Sequence, residues 1–219
     1  SLRTKYKGNR VSIQILTNVR SGNCTQNCAY CAQSRDSKAP IEKYRSVSDE
    51  KLDSNNNLVN EFHLSRHCIG LSGMGFTDKE IENLAERIAR MKKSGTHICC
   101  SIGFLTEHQA RVLKAAGLDR INHNLNTSRR FYPEICSTHT YERRIQNIQM
   151  LQRVGFEICC GGIIGMGEGI KFINSYGQMR IYKKEIDALS HIYDKLKSMK
   201  NVQHVSKEKY VKHVRHAHF

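Results

Sequence analysis

An α/β fold of the (β/α) TIM-type barrel class, incomplete at about five βα units, is what this sequence predicts. Three observations carry that expectation. Strand-like runs alternate with amphipathic helices. Strand after strand is apolar on one face and polar or small on the other, whereas a doubly wound sheet covered on both sides is apolar on both. The helices open on capping residues and close at glycines.

The elements follow in order. VSIQILTN, in a first strand near residues 10–18, separates Val11, Ile13 and Ile15 from Ser12, Gln14 and Asn18. Residues 46–66 are rich in asparagine, a weaker helix former. HCIGLSG marks a strand at 66–72, with Cys68 opposing Ile69 and Leu71. Thr77-Asp-Lys-Glu80 reads as a capping box for a helix that puts Ile81, Leu84, Ile88 and Met91 on one face and stops near Gly95. In the strand at 97–103, Ile98, Cys100 and Ile102 oppose Cys99, Ser101 and Gly103. A second capping box, Thr106 to Gln109, opens a helix that closes at Gly117. LDRINHNLN, the strand at 119–126, carries Ile121, His123 and Leu125 on one face and Asn122, Asn124 and Asn126 on the other. Thr140 opens a helix running to Gly155, and a strand at 156–164 sets Phe156, Ile158 and Cys160 against Glu157, Cys159 and Gly161. An eight-unit barrel takes about 250 residues. This chain has 219, and the regular grammar fades after Glu168. The expected organisation is a partial barrel domain over 1–168 and a divergent basic tail over 169–219, with one helix in 181–200 marked by Ile186, Leu189, Tyr193 and Leu196.

Composition narrows the function classes. The net charge is +15, of which residues 169–219 supply +7 from 11 Lys+Arg and 4 Asp+Glu. Aromatic residues are not interleaved with the basic ones in an RNA-binding pattern, so anionic small molecules are expected as clients, and nucleic acid is not. No run of 18 apolar residues suggests a membrane span, and SLRTKYKGNR lacks the apolar core of a signal peptide. The expectation is a cytoplasmic protein, and the missing initiator Met suggests a start inside a longer chain. Nine cysteines, an odd count not spaced as a disulfide framework, point to metal binding or catalysis.

Three of them make the sharpest motif, CTQNCAYC, with Cys24, Cys28 and Cys31 spaced as Cys-x3-Cys-x2-Cys. Three thiolates on one loop can hold a [4Fe–4S] cluster and leave its fourth iron open to an outside ligand. Structural zinc is the alternative. It ordinarily takes four ligands in two close pairs, and no matching second pair follows, although the tail histidines could supply one ligand.

CTQNCAYC with Tyr30 resembles the motif of the radical S-adenosylmethionine superfamily. Together with INHNLNTSRRFYPEI and GGIIGMGE, it resembles the biotin synthase family over about residues 2–168. That resemblance implies an enzyme that cleaves S-adenosylmethionine to a 5′-deoxyadenosyl radical and inserts sulfur into dethiobiotin. A one-electron reductant such as flavodoxin or ferredoxin would feed it, and a homodimer is compatible with it. It implies a [4Fe–4S] cluster on Cys24, Cys28 and Cys31, and a [2Fe–2S] cluster on Cys68, Cys99 and Cys159. The strand faces select the same trio: Cys99 and Cys159 point inward, while Cys100, Cys160 and Cys136 read as packing or incidental. By the same resemblance Tyr30, Asn124, Asn126, Arg144, Gly161, Ile163, Gly165 and Glu168 approach S-adenosylmethionine, and Asn122 approaches dethiobiotin. Arg144 has a competitor in Arg143, since either could be the exposed member of the pair. The family's three later barrel units, its proline-rich segment and its arginine ligand to the second cluster find no counterpart after Glu168. The chain is therefore expected to be a fragment or a truncated frame. The alternatives are a non-catalytic iron–sulfur-binding remnant and another radical S-adenosylmethionine enzyme of similar barrel.

Overall fold

The computed structural model describes residues 12–163 together with Gly8 and Met166. Gly165, Glu168, the helix expected in 181–200 and the tail over 169–219 lie outside the described residues, as does Val11. The described chain falls into two compact units. One runs from residue 12 to Leu125 and from Tyr132 to Gly161; the other includes the loop Asn126–Phe131 and Gly162.

The first unit alternates β1 (Gln14–Arg20), α1 (Asp49–Glu61), β2 (Arg66–Leu71), α2 (Asp78–Lys92), β3 (Ile98–Ser101), α3 (Glu107–Ala115), β4 (Arg120–Asn122), the one-turn α4 (Tyr132–Ile135), α5 (Tyr141–Val154) and β5 (Glu157–Cys159). The five strands form one parallel sheet in chain order. That is the order expected of successive βα units in a barrel wall.

Local chemistry sets the helix ends. Thr77 and Thr106 each complete a reciprocal capping box, with Glu80 and Gln109, and Thr140 accepts from the Arg143 N–H. Gly155 stops α5 in the left-handed region at φ 96°, where a Cβ would be strained. On α2 the face made by Ile81, Leu84, Ile88 and Met91 is buried throughout. It packs with Ile69, Ile98, Cys100, Ile121, Leu113 and Leu151 in one core outside the sheet.

The Asn-rich segment is a full helix, α1, because tertiary partners offset its weak propensity. Ser48 caps it, Asn55 Nδ2 donates to Thr17 Oγ1 at 2.8 Å, and Asn56 and Asn60 both donate to Ser94 Oγ, at 3.1 and 2.9 Å. The regular strands are shorter than expected. β4 ends at Asn122, so strand alternation does not extend to Asn126, whose backbone is left-handed at φ 67°. In the second unit, Asn126 is fixed instead by its carbonyl, which accepts from the Ile163 N–H at 2.6 Å.

Candidate functional site

The parallel register builds rows of side chains across the sheet face away from the helices. Leu16, Cys68, Cys99, Arg120 and Glu157 form one row, and Asn18, Gly70, Ser101, Asn122 and Cys159 form the next. The three inward cysteines of the sequence reading thus share a face. Cys68 and Cys99 lie side by side, and Cys159 lies one row nearer the C-terminal strand ends, beside Asn122. Cys100 turns the other way and is fully buried in the core, whereas Cys160 is exposed.

The environment of the trio is polar. Cys68 Sγ donates to Gln14 Oε1 at 2.9 Å. A hydrogen bond with Cys99 holds the Cys68 thiol below the usual range, and Arg66 and Arg120 act in the same direction. That hydrogen bond pushes the Cys99 thiol up, and burial adds to it. Arg120 pairs with Glu157. The buried Arg66 Nε, Arg120 Nε and Asn122 Oδ1 find no hydrogen-bond partner among the described residues. In the second row, a Cβ on Gly70 would stand 2.9 Å from Asn18 Oδ1. Glycine and Ser101 therefore keep the side chains low over Cys68 and Cys99. Three thiols, small neighbours and orphaned polar atoms suit a compact inorganic group better than an apolar ligand.

The loop holding Cys24, Cys28 and Cys31 leaves β1 through left-handed Gly22 (φ 69°) and Asn23 (φ 52°). It is stitched to the segment after α4. Ala29 N–H donates to Ile135 O at 2.9 Å, and Asn27 Oδ1 accepts from the Ser137 and Thr138 N–H groups at 3.1 and 3.3 Å. All three cysteines are free thiols, Cys24 and Cys31 half-buried and Cys28 buried. Cys24 interacts electrostatically with Cys31, and the Arg144 charge acts on both Cys28 and Cys31, lowering each thiol against the effect of burial. Three uncrosslinked thiols on one pinned loop beside a cation fit the thiolate donor set of a [4Fe–4S] cluster.

Arg144 is the inner member of its pair. Its Nε donates to Tyr132 Oη at 2.5 Å, its Nη1 donates to Asn124 O at 3.0 Å, and its Nη2 lies 3.5 Å from His139 Nε2. Arg143 is exposed, with its guanidinium over the Phe104 ring, 4.5 Å from the ring centre. Asn124 Oδ1 accepts from the Gly161 N–H at 2.8 Å, which joins two residues that the sequence reading assigned to one ligand. Tyr30 hydrogen-bonds with Cys28, and burial followed by the nearby Cys28 raises its phenol above the ordinary range.

Cys28 does not stand free. Its Sγ lies 3.8 Å from Cys136 Sγ and 3.5 Å from His139 Nε2. Burial, and after it Cys136, pushes the Cys28 thiol up to about 12. Burial, with Arg144 and Arg143 adding, pushes the His139 imidazole down to about 4, so it is neutral at pH 7. The sequence reading missed Cys136 and His139 as functional candidates, although their Cys-x2-His spacing is a ligand spacing. It also missed Arg66 and Arg120, which strand alternation places on the inner face.

A family model described as the radical SAM superfamily matches residues 18–171. The chain belongs to the radical SAM superfamily. Within it, the chain is 44% identical over 168 residues to the biotin synthase of Magnetococcus marinus, which covers 76% of this chain and 52% of that protein. It is 39% identical to the biotin synthases of Lawsonia intracellularis and Bacillus subtilis, covering 77% and 76% of this chain and 53% and 50% of theirs. The chain thus spans about half the length of the curated relatives it matches. Among solved structures, methylornithine synthase aligns with a TM-score of 0.68 at 15% identity, over 82% of this chain and 54% of that one. The hydrogenase maturase HydG of Carboxydothermus hydrogenoformans aligns with a TM-score of 0.68 at 18% identity, over 85% and 44%. At such identities these two likenesses establish the barrel-type fold of this radical SAM chain.

Proposed function

We propose that this chain carries the cluster-binding and sulfur-insertion half of a biotin-synthase-type enzyme, acting on S-adenosylmethionine and dethiobiotin with a one-electron reductant. The observation that carries this reading is the pair of separate cysteine sets on one barrel wall. One set is the loop trio Cys24, Cys28 and Cys31; the other is the sheet trio Cys68, Cys99 and Cys159. When bound, a [4Fe–4S] cluster at the loop supplies reductive cleavage of S-adenosylmethionine, and a [2Fe–2S] cluster at the sheet supplies sulfide.

The chain's own residues bind and orient. Arg144, half-buried and hydrogen-bonded to Tyr132 and the Asn124 carbonyl, presents its guanidinium to the amino-acid carboxylate of S-adenosylmethionine. Asn124, whose Oδ1 is committed to the Gly161 N–H, holds that strand end open beside it. Tyr30 offers an aromatic face next to Cys28. Asn122, with its buried Oδ1 unpartnered among the described residues, suits the N–H groups of a ureido ring. The assignment of Asn126, Ile163, Gly165 and Glu168 to S-adenosylmethionine rests on the family resemblance.

Anaerobic reconstitution with iron and sulfide tests the reading. Retention of about six irons per chain is expected for the two clusters, and about four after Cys68→Ala. Dithionite should then drive formation of 5′-deoxyadenosine, lost in Cys24→Ala. Failure to retain any iron with matching sulfide would overturn the proposal.

A further inference from the structure

Cys28, Cys136 and His139 are all buried, and their ligand atoms form a closed triangle. Its edges are 3.8 Å between the two sulfurs, 3.5 Å from Cys28 Sγ to His139 Nε2, and 3.4 Å from Cys136 Sγ to the same nitrogen. A tetrahedral ion with metal–sulfur bonds of about 2.3 Å and metal–nitrogen bonds of about 2.0–2.1 Å separates its ligand atoms by about 3.8 Å for S···S and about 3.5 Å for S···N. The observed triangle matches three corners of that tetrahedron without rearrangement.

The surroundings are built to hold the imidazole in the needed orientation. Tyr132 Oη lies 2.8 Å from His139 Nδ1 and also accepts from Arg144 Nε. With Nδ1–H donating to the phenol oxygen, Nε2 keeps its lone pair, which faces the two sulfurs and also Arg144 Nη2 at 3.5 Å. A partner on the far nitrogen of this kind fixes the tautomer of metal-bound histidines. Phe104 packs its ring edge-on against His139, with centroids 5.4 Å apart, and limits rotation.

We propose that Cys28, Cys136 and His139 form a mononuclear site for a divalent, thiolate-preferring ion of the zinc type. The two thiols release their protons to solvent as the dication binds, leaving a neutral Cys2His centre with one corner for water. The site shares Cys28 with the loop trio. This ion and a cluster on Cys24, Cys28 and Cys31 are therefore alternatives, and this last consequence rests on the reading under Proposed function.

Cobalt(II) titration of the full reduced chain, under strict exclusion of air, tests the site. One cobalt per chain is expected, with the intense visible bands of tetrahedral geometry and thiolate-to-cobalt charge transfer in the near ultraviolet. Cys136→Ser and His139→Gln should each weaken cobalt binding by at least ~100-fold, more than the 10–100-fold that loss of an outer hydrogen-bond partner costs. Tyr132→Phe falls within that smaller range. The double variant Cys24→Ser/Cys31→Ser should retain the spectrum. Far-ultraviolet circular dichroism identifies any variant that has failed to fold, and the double variant then decides on its own. A spectrum unchanged in Cys136→Ser, or lost in the Cys24→Ser/Cys31→Ser chain, would overturn the proposal, because cobalt would then sit on the loop. Iron retention by the wild-type chain is scored separately, so failure of the cluster reading leaves the cobalt result intact.

Discussion

Arg144 donates from two different nitrogens to two fixed acceptors, and a lysine at this position cannot reproduce that fork. Arg144→Lys is expected to weaken S-adenosylmethionine binding by about 10-fold or more (roughly 1.4 kcal/mol), measured by equilibrium dialysis against the reconstituted chain. His123 is a different case. It is 2% exposed, packed against Phe104, and burial followed by the Arg144 charge lowers it from the ordinary 6.5 to about 3. A histidine depressed on folding stays neutral while its unfolded counterpart takes up a proton, so it carries no protonation penalty above pH 6.5 and costs the fold progressively more as pH falls toward 3. At its fullest that penalty is on the order of 5 kcal/mol. Urea unfolding of His123→Phe should show a shallower loss of stability between those pH values than the parent, and equal slopes would contradict it. Sequence alone placed Cys68, Cys99 and Cys159 on one sheet face, because strand alternation is a one-dimensional pattern, and the register agrees. It could not identify the neighbours of Cys28. Cys28 and Cys136 are 108 residues apart, and only the docking of the cysteine loop on the segment after α4 brings them together.

At the scale of elements, the caps and core faces were readable and the polar packing was not. The capping boxes at Thr77 and Thr106 are local patterns of four residues, and both form as expected. Thr106→Ala should cost about 1 kcal/mol in chemical unfolding. Ile88, fully buried in the centre of the α2 face, should cost about 2–5 kcal/mol when changed to alanine, with an unchanged denaturant slope. The asparagines of α1 make the opposite point. Their helix propensity is poor, and what keeps them helical is a set of partners on β1, β2 and the turn after α2. Asn56 Oδ1 faces His67 Nδ1 at 3.3 Å while its Nδ2 donates to Ser94. Asn56→Ala would leave the buried His67 Nδ1 without its partner and is expected to cost about 1–3 kcal/mol. A leucine there, favourable by propensity, should also destabilise. Thermal melts of the two variants side by side separate propensity from pairing.

Across the whole molecule, the register of the sheet is the organising fact. A slip of one residue in β2, β3 or β5 would carry its inner cysteine to the helix side, where Cys100 already sits. The two cysteine sets are carried by different parts of the unit, the loop after β1 and the inner face of β2, β3 and β5. Their occupancies should therefore respond independently to substitution. In Cys68→Ala about two irons are lost and formation of 5′-deoxyadenosine is kept; in Cys28→Ala about four are lost and formation stops. Iron and sulfide analysis beside product chromatography measures both. Loss of all iron in either variant would mean that the sets assemble as one.

The position of Tyr132 between His139 and Arg144 has a thermodynamic corollary. Arg144 Nη2 points a positive charge at the same His139 nitrogen that the metal triangle needs, at 3.5 Å. A carboxylate that draws this guanidinium away frees that lone pair, so anion and metal cooperate. Reciprocity then requires that metal loading tighten the anion by the same factor. Methionine, added as the simplest such carboxylate, should lower the cobalt concentration at half-saturation, and should lose that effect in Arg144→Lys.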